Sequence, residues 1–69
     1  MNKNTKTKLY QKRTQIGMSV DDLSIRSGIS IWTIRSYEQG RRNINNAGAE
    51  KIIAIAKALG CNTEELLEK

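Results

Sequence analysis

Residues 19–42, SVDDLSIRSGISIWTIRSYEQGRR, constrain the fold more than any other part of the chain. They predict two short helices joined by a tight turn at Gly28, because glycine adopts the left-handed conformation that ends a helix at little cost. Ser19 and Ser30 precede the two helices, where a serine side chain can accept a hydrogen bond from a backbone N–H group of the first turn. Gly40 is predicted to end the second helix.

The second of these helices has two different faces at helical spacing. Ile34, Tyr37 and Glu38 share one face, which is predicted to point inward. A rigid helix with a mixed polar and aromatic outer face is suited to docking against DNA. The residues of that outer face are Trp32, Arg35, Ser36 and Gln39.

The whole chain predicts an all-α fold, a compact five-helix bundle, because no segment shows the alternation of a strand. We expect one domain over residues 1–69, with the two-helix motif at about 19–40. The first helix is expected over about residues 5–15, before Gly17, and the fourth over about residues 47–59. A short fifth helix is expected after Asn62, with Glu65 completing a capping box.

Apolar spacing predicts which faces form the core. In the first helix, Leu9, Arg13 and Ile16 share a face, and Leu66 and Leu67 are expected to close the core at the end of the chain. Because a buried charge must be paired, we predict an ion pair between Arg13 and Glu38, the alternative being that Arg13 extends to solvent. The fourth helix has a clean apolar stripe of Ile52, Ile55, Ala56 and Leu59.

The net charge is +5, and its distribution is uneven. Nine basic residues against three acidic ones lie in residues 1–42, whereas residues 43–69 have three basic and four acidic residues. The positive charge therefore lies in the half that contains the two-helix motif. Such a field favours binding of a polyanion.

The two-helix motif and the residues that follow it resemble the phage-repressor and Cro-like helix-turn-helix proteins, also called the XRE family. The resemblance covers about residues 6–68 and implies double-stranded DNA as the partner. It also implies a transcriptional regulator, with a repressor from a bacterium or a phage expected. The residues that carry it are Leu23, Ser24, Gly28, Ile29, Ser30, Thr33, Ile34 and the segments 37–41, 55–60 and 64–67.

The resemblance implies that Ile31, Trp32 and Ser36 read bases, and Arg35 beside them can reach guanine or a phosphate. This chain departs from the family, which usually has polar residues at the first two positions and often glutamine at the position of Val20. Ile31 and Trp32 are therefore expected to contact thymine methyl groups, to form a patch for a protein partner, or to pack locally. Ile25 is a further candidate for exposure.

The resemblance also implies a set of phosphate contacts around the two-helix motif. Backbone N–H groups at the starts of the second and fourth helices are expected to contribute. Lys6, Lys8 and Lys12 are possible additions, each more readily explained as part of a solvated helix face. The predicted phosphate-binding residues are Ser19, Ser30, Gln39, Arg41, Arg42 and Asn43.

One such helix reads only a few base pairs, so we expect a homodimer on a two-fold-related site, with recognition helices about 34 Å apart. The rival hypothesis is a protein-interaction module, such as an antirepressor or an antitoxin-like partner. It would keep the same fold and bind a protein through Val20, Ile31 and Trp32.

The composition argues against several other classes of function. The chain has no histidine and one cysteine, so no set of residues has the spacing of metal ligands. We expect that the protein binds no cofactor and is not an enzyme. Cys61 is expected to pack, and a single cysteine fits a cytoplasmic location. No apolar run approaches the roughly 18 residues of a membrane span, so no membrane association is expected.

Overall fold

The computed structural model describes residues 7–68, and this part of the chain is all-α, as predicted. It contains four α-helices: α1 (Lys8–Gln15), α2 (Val20–Ser27), α3 (Ile31–Glu38) and α4 (Ala49–Leu59). Two short 3₁₀ turns, Ile44–Asn46 and Thr63–Glu65, lie before and after α4. No strand is present between residues 7 and 68.

The prediction of five helices is wrong, because the segment after Asn62 forms a single 3₁₀ turn. The Asn62 N–H group does donate to Glu65 Oε2 at 2.9 Å, as expected for a capping box. The helix does not continue, because the backbone of Glu68 bonds instead to the side chain of Asn45. Glu68 N–H donates to Asn45 Oδ1 at 2.8 Å, and Asn45 Nδ2 donates to the Glu68 carbonyl.

Two other helix boundaries differ from the prediction. Thr7 caps α1 by accepting a hydrogen bond from Tyr10 N–H, so α1 begins after residue 7, and the predicted start at residue 5 lies outside the described residues. The fourth helix begins at Ala49 rather than Ala47. Ala47 has an extended backbone, and its N–H group closes the preceding 3₁₀ turn on the Ile44 carbonyl.

The core is one cluster of apolar side chains to which every α-helix contributes. The predicted stripe of α4 is buried, and Leu66 closes the core with Leu67 packed against it. Ile16 was predicted on the inward face of α1 but is 46% exposed. The helix ends before Ile16, so the helical spacing no longer applies there, and Met18 packs against the core. The fully buried side chains are Leu9, Leu23, Ile34, Ile55 and Leu66.

The turn between α2 and α3 has the conformation that the sequence predicts. Gly28 ends α2 with φ at 75°, in the left-handed region that favours glycine. Ser24 Oγ donates to the Ile29 carbonyl at 2.6 Å, and Ile29 packs against the core. These contacts set the direction in which α3 leaves the turn, and so they position its outer face.

Candidate nucleic-acid interface

The third helix presents one face to the core and the opposite face to solvent. Ile34, Tyr37 and Glu38 are buried, whereas Trp32, Arg35 and Gln39 are exposed. Ser30 starts the helix by accepting a hydrogen bond from Thr33 N–H at 3.2 Å. The structure therefore brings Trp32, Arg35, Ser36 and Gln39 together on one outward surface, as their spacing predicts.

Two of the apolar side chains that the sequence analysis names as exposed, Trp32 and Ile25, are highly exposed in the structure. Trp32 is 82% exposed and Ile25 is 79% exposed, so neither side chain packs on the scaffold. Val20 is half-buried and packs against the core, because it lies in the first turn of α2 beside the buried Leu23. Ile31 is also half-buried. A protein-binding patch of Val20, Ile31 and Trp32 stays a prediction, with Trp32 as its most exposed member.

Ser36 connects the outer face of α3 to the loop that follows. Its hydroxyl group donates to the Trp32 carbonyl at 2.9 Å. Its own carbonyl accepts hydrogen bonds from the backbone N–H groups of Arg41 at 3.0 Å and Arg42 at 3.2 Å. Gly40, with φ at 79°, allows the chain to turn back for these two bonds. The positions of both arginines are therefore tied to the end of α3.

A basic groove follows this loop and ends at the start of α4. It is an open depression of about 410 Å³. Asn43 contributes to it, with its Oδ1 atom accepting a hydrogen bond from Asn45 N–H at 2.9 Å. Gly48 precedes α4 without a side-chain cap, and its carbonyl accepts hydrogen bonds from the backbone N–H groups of Lys51 at 3.0 Å and Ile52 at 3.2 Å. The groove is lined chiefly by Arg41, Arg42, Asn43, Asn46, Gly48 and Lys51.

Lys51 in this groove was not identified from the sequence. A lysine in the first turn of a helix is common on solvated faces, so its spacing alone carries no signal. The contribution of Lys51 depends on how the loop after α3 approaches α4, and only the packing of the two helices determines that approach.

An ion pair joins α1 to the end of α3. Arg13 Nε lies 2.5 Å from Glu38 Oε2, and Arg13 Nη2 donates to Glu38 Oε1 at 3.1 Å. Arg13 Nη1 donates to the Met18 carbonyl at 2.8 Å, and the guanidinium lies 5.5 Å from the centre of the Tyr10 ring. The Arg13 side chain is 14% exposed and that of Glu38 is 7% exposed. This pair holds the end of α3 against α1.

The lysines of α1 face other partners. Lys12 Nζ forms an ion pair with Glu65 Oε1 at 2.9 Å. This contact raises the pKa of Lys12. The pKa of Glu65 is lowered, with the hydrogen bond from the Asn62 N–H group as the larger cause and the contact with Lys12 as the smaller one. The backbone N–H of Lys8 donates to Glu68 Oε2 at 2.6 Å. Lys6 lies outside the described residues.

Ser19, a predicted phosphate-binding residue, caps α2 by accepting a hydrogen bond from Asp22 N–H at 3.0 Å.

A family profile described as helix-turn-helix matches residues 9–66, which is most of the chain. The chain belongs to the helix-turn-helix family. As a helix-turn-helix protein of the XRE type, it is a DNA-binding transcription regulator with double-stranded DNA as its partner. No curated protein is similar enough in sequence to count as a match.

Solved structures share the fold of this helix-turn-helix protein. The restriction-modification controller protein C.AhdI from Aeromonas hydrophila is 30% identical over 87% of this chain and 86% of that chain, with a TM-score of 0.76. The clp gene regulator ClgR from C. glutamicum is 22% identical over 86% and 73%, with a TM-score of 0.73. The N-terminal DNA binding domain of SinR from Bacillus subtilis is 20% identical over 88% and 86%, with a TM-score of 0.76.

Within residues 7–68, no group of three or more His, Cys, Asp or Glu side chains is placed to hold a metal ion. No helix in the same range is long and apolar enough to cross a membrane.

Proposed function

We infer that this helix-turn-helix protein is a sequence-specific repressor that inserts α3 into the major groove of operator DNA. The observation that carries the proposal is the exposed polar and aromatic face of α3, with the Arg41–Arg42 turn attached to its end through the Ser36 carbonyl. Such an arrangement places base-reading and phosphate-binding groups on one continuous surface. Repression would follow from occupying a promoter.

Ser36 would read a base as a hydrogen-bond acceptor. The Trp32 carbonyl has no hydrogen to give, so the Ser36 hydroxyl must be the donor in their 2.9 Å contact. The lone pairs of the hydroxyl remain for an incoming donor. In the major groove the base donors are the amino groups of cytosine and adenine, so we propose that Ser36 selects one of these two bases.

Trp32 and Ile31 would contact thymine methyl groups, because both are apolar and begin the recognition helix. Arg35, exposed one turn later, would donate to guanine or to a phosphate. Together these contacts would give a short recognition sequence with both A·T and G·C positions.

Phosphate contacts would surround these base contacts and position the helix. We propose Gln39, Arg41, Arg42 and Asn43 after α3, with Lys51 added from the basic groove. Ser19 and Ser30 would contribute at the starts of α2 and α3, where helix N-termini favour an anion. Two copies on a two-fold-related site would double this surface.

Selection of bound fragments from random duplex DNA, followed by salt titration, tests the proposal. We expect enrichment of a two-fold-related sequence. If each subunit neutralises about four phosphates, log K should fall with log salt at a slope of about −3 to −4 per subunit. Tight binding without salt dependence would contradict a basic surface docked in the groove.

The second candidate function is binding of a protein partner. The high exposure of Trp32 and Ile25 favours it, because exposed apolar side chains often mark protein interfaces. Trp32 is the only tryptophan, so its fluorescence separates the two functions. A change on adding duplex DNA supports DNA binding, and no change with any duplex supports the protein partner. Lack of catalysis and a cytoplasmic location stay predictions.

A further inference from the structure

The loop that carries the proposed phosphate contacts is bound to a distant part of the chain through one polar side chain. This loop, residues 40–48, joins α3 to α4 and buries Ile44 in the core. Within residues 7–68, its hydrogen bonds to a distant residue are the two between Asn45 and Glu68, which lie 23 residues apart. Its other hydrogen bonds join residues close together in the sequence. The contact of Asn45 with Glu68 is therefore the long-range polar contact that holds the loop.

The side-chain amide of Asn45 is occupied at both ends. Its Oδ1 atom accepts a hydrogen bond from Glu68 N–H at 2.8 Å, and its Nδ2 group donates to the Glu68 carbonyl. Asn45 is exposed, but it is not one of the residues that line the basic groove. It therefore has the exposure of a DNA ligand, while its polar groups are directed to Glu68 instead.

Glu68 is in turn fixed by contacts of its own. Leu66, two residues before it, is fully buried. Glu68 Oε2 accepts a hydrogen bond from the backbone N–H of Lys8, the first residue of α1, at 2.6 Å. The first N–H groups of a helix have no partner within the helix, and negative charge is favoured there. Asn45 therefore binds a residue that is held both to α1 and to the core.

The position of Asn45 determines which group of the Asn43 side chain is left for DNA. Asn43 Oδ1 accepts a hydrogen bond from the backbone N–H of Asn45 at 2.9 Å. The other end of the Asn43 amide is its NH₂ group, which can only donate hydrogen bonds. The oxygens of a DNA phosphate accept hydrogen bonds, so the fixed Asn43 side chain offers the matching group in the basic groove that it lines.

We propose that Asn45 is a positioning residue for DNA binding, which is held by Glu68 and directs the Asn43 NH₂ group towards a DNA phosphate. The inference rests on the proposed function and adds two residues that act without touching DNA. A loop that is already ordered loses less conformational entropy when DNA binds, so the contact between Asn45 and Glu68 raises the affinity for DNA.

The variant Asn45→Ala removes both bonds to Glu68 and leaves every proposed phosphate ligand in place. The measurement is fluorescence anisotropy of a labelled mixed-sequence duplex at low salt. Loss of one neutral hydrogen bond to a phosphate should raise the dissociation constant about fivefold. The slope of log K against log salt should stay unchanged, because Asn43 carries no charge. Gln15→Ala, which removes an exposed amide at the end of α1, should change neither quantity.

Two double-mutant cycles separate positioning from a general loss of stability. In Asn43→Ala the ligand itself is absent, so adding Asn45→Ala should raise the dissociation constant by less than about twofold. Arg41 N–H is bound by the Ser36 carbonyl instead, so adding Asn45→Ala to Arg41→Ala should still cost about fivefold. Partial unfolding would cost the same factor in both backgrounds. All variants are compared where circular dichroism shows them folded, with a stabilising osmolyte if one is needed.

Amide hydrogen exchange reports on the loop in the absence of DNA. Asn46 N–H donates to the Asn43 carbonyl at 2.9 Å, and Ala47 N–H donates to the Ile44 carbonyl at 3.0 Å. Asn45→Ala should speed the exchange of these two N–H groups about fivefold or more, because the loop opens more often without its long-range contact.

The outcomes separate this inference from the proposed function. If the wild-type chain binds the duplex, unchanged exchange in Asn45→Ala overturns the inference alone, as do additive effects of Asn43→Ala and Asn45→Ala on affinity. Absence of duplex binding by the wild-type chain overturns the proposed function, and faster exchange in Asn45→Ala then still supports the hold of Asn45 on the loop.

Discussion

Removing Arg13 from its ion pair with Glu38 should lower the free energy of unfolding more than removing Glu38 does. In Arg13→Met, the Glu38 carboxylate loses its partner while only 7% exposed, and it has no route to solvent. Loss of one partner of a buried pair costs about 3 kcal/mol or more. In Glu38→Leu, Arg13 keeps the Met18 carbonyl and is 14% exposed, so we expect a smaller cost of about 2 kcal/mol.

These magnitudes are large for a chain of 69 residues, whose total stability is expected at about 3–10 kcal/mol. Urea unfolding followed by far-ultraviolet circular dichroism measures them, with a stabilising osmolyte present if Arg13→Met is partly unfolded in buffer. The double variant should lose about 2 kcal/mol less than the sum of the single losses, because neither charge is then left alone. Additive losses, or an equal cost from both sides, would refute this reasoning.

Three other predictions concern the DNA surface and the end of the chain. Arg41→Ala and Arg42→Ala should weaken binding to all duplex sequences alike, and each should reduce the salt slope by about one in a titration. Trp32→Ala should change the free energy of unfolding by less than about 0.5 kcal/mol yet weaken DNA binding, with Ile16→Ala as the control for loss of an exposed apolar group; a large loss of stability would place Trp32 in the core. The pKa of Glu65 is lowered from its ordinary value of 4.5, so its stabilising effect is present above that pH and is lost as pH falls through the lowered pKa. Glu65→Gln should therefore flatten the acid side of a plot of stability against pH, and an unchanged plot would contradict the contact with Asn62 and Lys12.

Contacts between distant residues explain where the sequence prediction was wrong. Glu68 and Asn45 are 23 residues apart, and their paired hydrogen bonds replace the predicted fifth helix. Val20 was predicted to contribute to an exposed apolar patch, but it is half-buried and packs against the core. The hydrogen bonds from Arg41 and Arg42 N–H to the Ser36 carbonyl are local by contrast, because Gly40 allows the chain to turn back at the end of α3.

The sequence by itself determined the features that arise from neighbouring residues. The caps at Ser19 and Ser30, the left-handed Gly28 and the buried stripe of α4 follow from backbone chemistry and helical spacing within one or two turns. The tertiary structure alone decided the basic groove, the partner of Lys12 and which apolar side chains face solvent near α3. These depend on how separate helices pack, and packing brings together residues whose separation along the chain leaves no periodic signal.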